Sequence, residues 1–317
     1  MTESRWFVAG HNGMIGSAFM RRLKHMGVMD VLVRNRAEID LSDSGAVAQF
    51  FDETRPDYVV LAAGRVGGID ENQTHPADFI HDNLAIQLNV LHAAHNVGVK
   101  KLVLFGSSCM YPRECSQPMP EEFLLSGKPE PTSLPYAISK LAGVYMCLAY
   151  NKQYGEKRFI PVIPNSTYGP NDNFNPETGH VLSSLIRRFH EAKINNAHEV
   201  TLWGSGNPRR EFIHADDVVD ACLHLMQADI DGVEPPLNIG VGVDYSILEL
   251  AEIIAEITGF RGDILWDSSK PDGTPRKLLD SNRLLDTGWH ASINLIDGIR
   301  ETYEWYLQQL PKGGGDA

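Results

Sequence analysis

Apolar positions in the first half of the chain fall into short unbroken runs. RWFVAG (5–10), DVLVRN (30–35), DYVVLAAG (57–64), KLVLFGSS (101–108) and RFIPVIPNS (158–166) are rich in Val, Ile, Leu or Phe. Each ends on small or polar residues. Runs of this kind predict strands buried on both faces of a parallel sheet. Between them, helical spacing covers 14–26, 44–54, 77–97 and 135–154. Strands and helices alternating at this interval predict a doubly wound parallel α/β fold.

After residue 166 the rhythm changes. STYGPNDNFNPETGH is a long loop dense in Asn, Pro and Gly, followed by helical spacing over 181–192. REFIHADDVVDACLHLMQ predicts a short strand turning into a helix, and PLNIGVG (236–242) one more buried strand. Helices are expected over 246–258 and 295–307, separated by the loop SSKPDGTPRKLLD (268–280). The expected division is a nucleotide-binding domain, 1–165 with 211–243, and a smaller α+β substrate domain, 166–210 with 244–317. The terminal KGGGDA is expected to be disordered.

GHNGMIG (10–16) places a G-x-x-G-x-x-G loop between the first strand and the first helix. Gly10 permits the tight turn, Gly13 lets backbone approach a pyrophosphate, and Gly16 permits close helix–strand packing. The helix N-terminus then offers free N–H groups to phosphate. The second strand ends in VRNRAEID, with Arg34 and Arg36 where an NAD site carries an acid. Arginine suits a 2′-phosphate, so NADP(H) is the expected cofactor. Solvation in water is the competing account of Arg34.

Composition narrows the partners. The chain has 317 residues, 43% hydrophobic and 22% charged, with a net charge of -13 and no Lys/Arg-rich block. That disfavours nucleic-acid and anionic-membrane surfaces. Four cysteines (Cys109, Cys115, Cys147 and Cys222) form no C-x-x-C pair, so neither a disulfide framework nor a metal site is expected. With no signal peptide or membrane span in view, a cytoplasmic protein is expected.

PYAISK supplies Tyr136 and Lys140, spaced to share one face of a helix. An ammonium beside the phenol is expected to lower the tyrosine pKa and so promote proton exchange with an alcohol or ketone. A solvated Tyr–Lys pair has the same spacing. With the glycine loop, GSS closing the fourth strand and REFIHADD (210–217), the chain resembles the extended short-chain dehydrogenase/reductase family over nearly its whole length. GSSCMYP, EPTSLPYAISKLAG, YGPNDNF with the following His180, WGSGNPRREFIHADD and KPDGTPRKLLD are similar to the branch of that family acting on GDP-4-keto-6-deoxy sugars.

The resemblance implies a Rossmann sheet and an NADPH-dependent epimerase–reductase. It would epimerise GDP-4-keto-6-deoxy-D-mannose at C3 and C5, then deliver hydride to C4. By resemblance Ser107 binds the ketone oxygen, Tyr136 is the acid/base, Lys140 holds the nicotinamide ribose, and Cys109 and His180 move the carbon-bound protons. The cofactor would contact Gly10, Asn12, Gly13, Met14, Ile15, Gly16, Arg36, Phe105, Gly106, Ser107, Ser108, Tyr136, Lys140, Pro164, Asn165, Ser166, Thr167 and His180. Arg188, Trp203, Arg210, Asp272 and Lys277 would surround the nucleotide sugar. From the residues alone, Cys109 reads first as a buried small hydrophobe and His180 as a loop histidine bonded to water, and Arg188 reads equally as an exposed helix residue. Trp203 reads equally as core, and Asp272 as the former of a turn.

Departures are also visible. Asn12 stands where close relatives commonly carry arginine, Arg209 is an extra arginine beside Arg210, and NPETGH differs just before His180. Related readings are a GDP-sugar synthase for colitose or a 6-deoxy-heptose, a 4-epimerase or 4,6-dehydratase with bound NAD, and a non-catalytic cofactor sensor. The resemblance further implies a homodimer built on helices 77–97 and 135–154.

Overall fold

The computed structural model describes residues 1–227, 234, 236–270 and 272–310. The terminal KGGGDA lies outside them. In chain order the first part comprises β1 (Trp6–Ala9), α1 (Met14–His25), β2 (Val31–Leu32), α2 (Ser44–Thr54), β3 (Tyr58–Leu61), α3 (Ile69–Thr74), α4 (Pro76–Val97), β4 (Lys101–Phe105), α5 (Leu134–Tyr154) and β5 (Phe159–Pro164). The second part comprises β6 (Ser166–Tyr168), α6 (Val181–Ile194), β7 (Glu199–Trp203), β8 (Arg209–His214), α7 (Ala215–Gln227), β9 (Leu237–Ile239), β10 (Asp244–Ser246), α8 (Ile247–Thr258), β11 (Asp263–Asp267), β12 (Arg276–Lys277), α9 (Asn282–Leu285) and α10 (Leu295–Gln309).

The main sheet has six parallel strands in the order β2-β1-β3-β4-β5-β9. The unbroken apolar runs have a direct cause in β1. Trp6 and Val8 enter the core beneath α1 and α7, while Phe7 and Ala9 enter the core beneath α2, α4 and α5. Both faces are covered, so no position can be polar. Each such large side chain contributes about 1.5–3 kcal/mol on burial. The edge strand β2 is shorter than its apolar run suggests and only half-buried. Strand order reverses beside β1, and this switch point opens a crevice at the carboxyl ends of β1 and β3.

The run at 158–166 divides at Asn165. β5 stays in the main sheet, whereas β6 leaves it to pair with β8 in a second sheet with β10 and β12. β7 and β11 form a separate parallel pair. α6, α8 and α10 enclose the apolar core of this second part around Leu185, Phe189, Ile254 and Ile299. α8 begins on a capping box, with Ser246 and Glu249 satisfying each other's backbone N–H groups. The strands β7, β10, β11 and β12 are short or half-exposed, so their apolar runs are too brief to read locally.

One carboxylate ties these parts together. Glu211 is fully buried, and accepts hydrogen bonds from Val241 N (2.8 Å), Gly242 N (2.7 Å), Leu279 N (3.1 Å) and Asn165 Nδ2 (2.6 Å). It thereby joins β8 to the ends of β5, β9 and β12.

Candidate active site

The crevice at the switch point is a cleft of about 510 Å³ lined by Gly10, His11, Asn12, Gly13, Arg34 and Arg36, among others. Gly10 adopts φ 83°, and a Cβ there would lie 2.7 Å from Ala63 N. A Cβ on Gly16 would overlap the Gly10 carbonyl. The loop is therefore compact for a backbone reason. Gly13 caps α1 without a side-chain hydrogen bond, leaving the first N–H groups of the helix free for phosphate. These features fit a dinucleotide.

The two arginines differ. Arg34 donates to Val33 O (2.7 Å) and lies over the Phe50 ring at 5.5 Å, half-buried. Arg36 is exposed and leans toward Asp40 at 3.7 Å. Both reach the cleft, as the 2′-phosphate expectation requires, but Arg34 is the preorganised one. Met14, Ile15 and Gly16 form the first turn of α1. Phe105 ends β4 and Gly106 to Ser108 follow it, and Pro164 to Thr167 span the end of β5 and the start of β6, so both segments lie along the same sheet edge. The amide of Asn165 is occupied by Glu211 and by Lys277 O (3.3 Å).

Ser107 stands in extended backbone after β4 and caps a 3₁₀ turn, Ser108–Met110, accepting from Cys109 N at 3.2 Å. The turn aims the Ser107 hydroxyl and the Cys109 thiol to the same side. Opposite lies α5, with Tyr136 and Lys140 one turn apart. Gly143 lets α5 close on α4, where Gln87 Nε2 donates to Ser139 O (2.8 Å) and locks the register. The start of α5 packs on the turn that carries Ser107 and Cys109. Lys140 Nζ lies over the Tyr136 ring, 5.8 Å from its centroid.

That placement corrects one expectation. Burial, with the nearby Cys109, pushes the Tyr136 phenol up, against the weaker effect of Ser107. Burial also brings the Lys140 ammonium down to about 8, which weakens the cation meant to lower the phenol. The phenol is held protonated, as a proton donor to an oxygen must be.

Cys109 and His180 are biased oppositely. Burial pushes the thiol up, but Lys277, whose Nζ lies 3.6 Å from Sγ, and hydrogen bonds from Ser107 and Ser133 bring it below the ordinary thiol value. His180 Nδ1 lies 3.5 Å from Asp172 Oδ1, and this carboxylate raises the imidazole despite desolvation. The Cys109 charge also acts on Tyr136, His180 and Arg210. The turn after β4, α5 and β12 thus meet at the thiol, and β12 is in register with β8 at Arg210.

The remaining expected residues are spread around it. Arg188, on α6, donates to Pro176 O (3.3 Å). Arg210 is half-buried, and burial lowers its pKa. Trp203 is 68% exposed at the end of β7, under Lys270, and so is not core. Asp272 accepts from Ser205 N (2.9 Å) and Oγ (2.7 Å), which makes it a loop former in this structure. Arg209 pairs with Asp244 (2.8 Å) and Glu249 (3.2 Å), binding β8 to β10 and α8 and leaving Arg210 to the pocket. Sequence reasoning missed Asp172, Ser133 and the Lys277–Cys109 contact. Asp172 and Ser133 had a local signal, lying in the YGPNDNF and EPTSLPYAISKLAG segments.

A glycine cradle at the switch point of a parallel sheet, with a Tyr–Lys helix and a hydroxyl at the neighbouring strand end, defines a dinucleotide-dependent enzyme of the α/β class. The chain belongs to the NAD dependent epimerase/dehydratase family, which matches residues 6–240. It is 51% identical over 308 residues to GDP-L-fucose synthase 1 of Arabidopsis thaliana, covering 97% of this chain and 94% of that protein. It is 49% identical over 322 residues to the GDP-L-fucose synthase of Escherichia coli (strain K12), covering 99% of this chain and 100% of that one. A solved GDP-mannoheptose C4 reductase from Campylobacter jejuni, with NADP bound, has a TM-score of 0.88 at 39% identity over 97% of this chain and 99% of its own.

Proposed function

We propose that the protein is a GDP-L-fucose synthase, an NADPH-dependent epimerase–reductase converting GDP-4-keto-6-deoxy-D-mannose to GDP-L-fucose. Likeness to two such synthases over nearly the whole chain supports the substrate. The observation that carries the mechanism is the turn after β4, which holds Ser107 and Cys109 against α5, the helix of Tyr136 and Lys140, with Lys277 Nζ 3.6 Å from the thiol. Ketone chemistry and carbon-proton chemistry then share one site.

The 4-keto group acidifies the hydrogens on C3 and C5. Cys109, biased toward thiolate, takes a proton from one of these carbons, and the bonding pair moves onto O4 as an enolate. The Ser107 and Tyr136 hydroxyls donate to that oxygen, a contact stronger in the enolate than in the ketone. His180, whose charged form Asp172 favours, returns a proton to the opposite face. When bound, NADPH supplies a hydride to C4. Tyr136 gives its proton to O4 in the same step, which its raised pKa allows. Lys140, over the Tyr136 ring, would hold the nicotinamide ribose. Arg188 and Arg210 suit the diphosphate, and exposed Trp203 offers a face to the base.

The division into a cofactor domain and a substrate domain is supported by the apolar core of α6, α8 and α10, separate from the two flanking the main sheet. We assign a homodimer on α4 and α5, where Leu88 (53%), Ile138 (40%) and Tyr145 (41%) are exposed. No helix among the described residues is long and apolar enough to cross a membrane, and a cytoplasmic location remains part of this reading.

The test is incubation with NADPH and the keto sugar in heavy water, followed by NMR of the product. GDP-L-fucose deuterated at C3 and C5 is expected. Reduction without deuterium would remove Cys109 and His180 from the mechanism and leave a C4 reductase.

A further inference from the structure

Lys277 Nζ is aimed at a sulfur. It lies 3.6 Å from Cys109 Sγ, from a residue 168 positions away in the chain. Its neighbour Arg276 is paired with Asp244, whereas Lys277 donates to the thiol. The lysine is half-buried, and its backbone is fixed on every side. Its carbonyl accepts from Asn165 Nδ2 (3.3 Å), and Lys277 is in register with Arg210 across β12 and β8. Leu278 N donates to Gln117 Oε1 (2.8 Å), and Leu279 N to buried Glu211 (3.1 Å). A cation on so anchored a strand keeps its place; one on a free loop would turn to water.

We propose that Lys277 is the counter-cation of a Cys109 thiolate, and so a catalytic residue of the proton-transfer step. This deepens the reading of the site given above and rests on it. The groups facing the sulfur are the Ser107 and Ser133 hydroxyls, the Tyr136 phenol from α5, His180 from the loop before α6, Arg210 from β8 and Lys277 from β12. Glu130, Arg113 and Arg276 line the same small cavity, but Glu130 is paired with Arg113 (3.4 Å) and Arg276 with Asp244. Burial alone pushes the thiol up, and Lys277 is the largest influence against it. The fixed ammonium therefore favours the thiolate against the cost of burial.

The step balances. The sulfur lone pair takes the proton as the C–H pair becomes the enolate. An S–H bond forms, the His180 N–H bond breaks as carbon is reprotonated, and proton exchange with water restores thiolate and imidazolium. The diphosphate is then left to Arg188 and Arg210.

The test needs no substrate. Alkylation of Cys109 by iodoacetamide is followed against pH in the full-length protein, with each cysteine quantified separately by mass spectrometry. The wild-type profile is expected to turn over below the range of an ordinary thiol. In Lys277→Met the midpoint is expected to rise by about one pH unit or more, with about tenfold slower alkylation at pH 7. Lys277→Arg should restore the low midpoint. A wild-type midpoint at or above the ordinary thiol range overturns the proposal, whatever the variants do, and so does an unchanged midpoint in a folded Lys277→Met. If the thiol shifts as expected while the wild-type enzyme fails to exchange deuterium into the keto sugar, the assigned reaction falls and the counter-cation stands.

Discussion

His180 Nδ1 lies 3.5 Å from Asp172 Oδ1, and this carboxylate in turn accepts a hydrogen bond from Ser183 on α6. The pair favours the imidazolium form of His180. For a histidine raised by its partner, the charge is complete at low pH and lost as pH rises through the raised value. For a thiol lowered by its surroundings, the anion is lost as pH falls through the lowered value. The pH profile of deuterium exchange is therefore expected to be a bell. Its alkaline limb should lie above the ordinary histidine value of 6.5, and its acid limb below the ordinary thiol value of 9.0. Asp172→Asn should move the histidine limb down in pH and leave the Cys109 alkylation profile largely in place. A histidine limb that does not move would remove Asp172 from this role.

The two chemistries of the pocket should separate. Cys109→Ser is expected to abolish deuterium incorporation while still reducing a keto sugar already epimerised. Tyr136→Phe should lower reduction about 10²–10⁴-fold, the usual worth of a positioned acid. Single-turnover NADPH oxidation and NMR of recovered substrate measure the two steps independently. Loss of reduction in Cys109→Ser to the same extent as exchange would contradict the division.

Gly16→Ala tests the glycine cradle. The new methyl would overlap the Gly10 carbonyl, a backbone atom held by the turn. Overpacking of this kind costs about 1–3 kcal/mol. A lower Tm is expected, together with weaker NADPH binding by calorimetry. A methyl accommodated with neither effect would mean that the loop is looser than its geometry.

Arg34, stacked on Phe50, should matter more for cofactor choice than exposed Arg36. A charge-assisted hydrogen bond contributes about 1.5–3 kcal/mol, or roughly tenfold or more in affinity. Arg34→Ala is expected to raise the KM for NADPH by at least that factor and to leave the KM for NADH nearly unchanged. Equal effects on the two cofactors would show that the guanidinium does not meet the 2′-phosphate.

Much of this molecule is readable along the chain, because its signals are local. A strand buried on both faces must be apolar throughout, so β1, β3, β4 and β5 declare themselves as runs. The glycine loop has to sit between β1 and α1, and Tyr136 and Lys140 have to be one helical turn apart, so spacing alone locates them. The edge strand β2 and the strands of the second part are short and half-exposed. Their neighbours in space, rather than their own residues, decide that they are strands. The charges behave likewise. Arg209 and Arg210 are indistinguishable in PRREF, yet the structure spends the first on Asp244 and leaves the second in the pocket. The sequence by itself determined the doubly wound sheet, the cofactor cradle and the Tyr136–Lys140 pair. Tertiary structure alone decided that Lys277 meets Cys109, that Asp172 holds His180 and that the buried Tyr136 phenol stays protonated. Electrostatics depends on distance and burial in space, and the Lys277–Cys109 contact joins residues 168 positions apart.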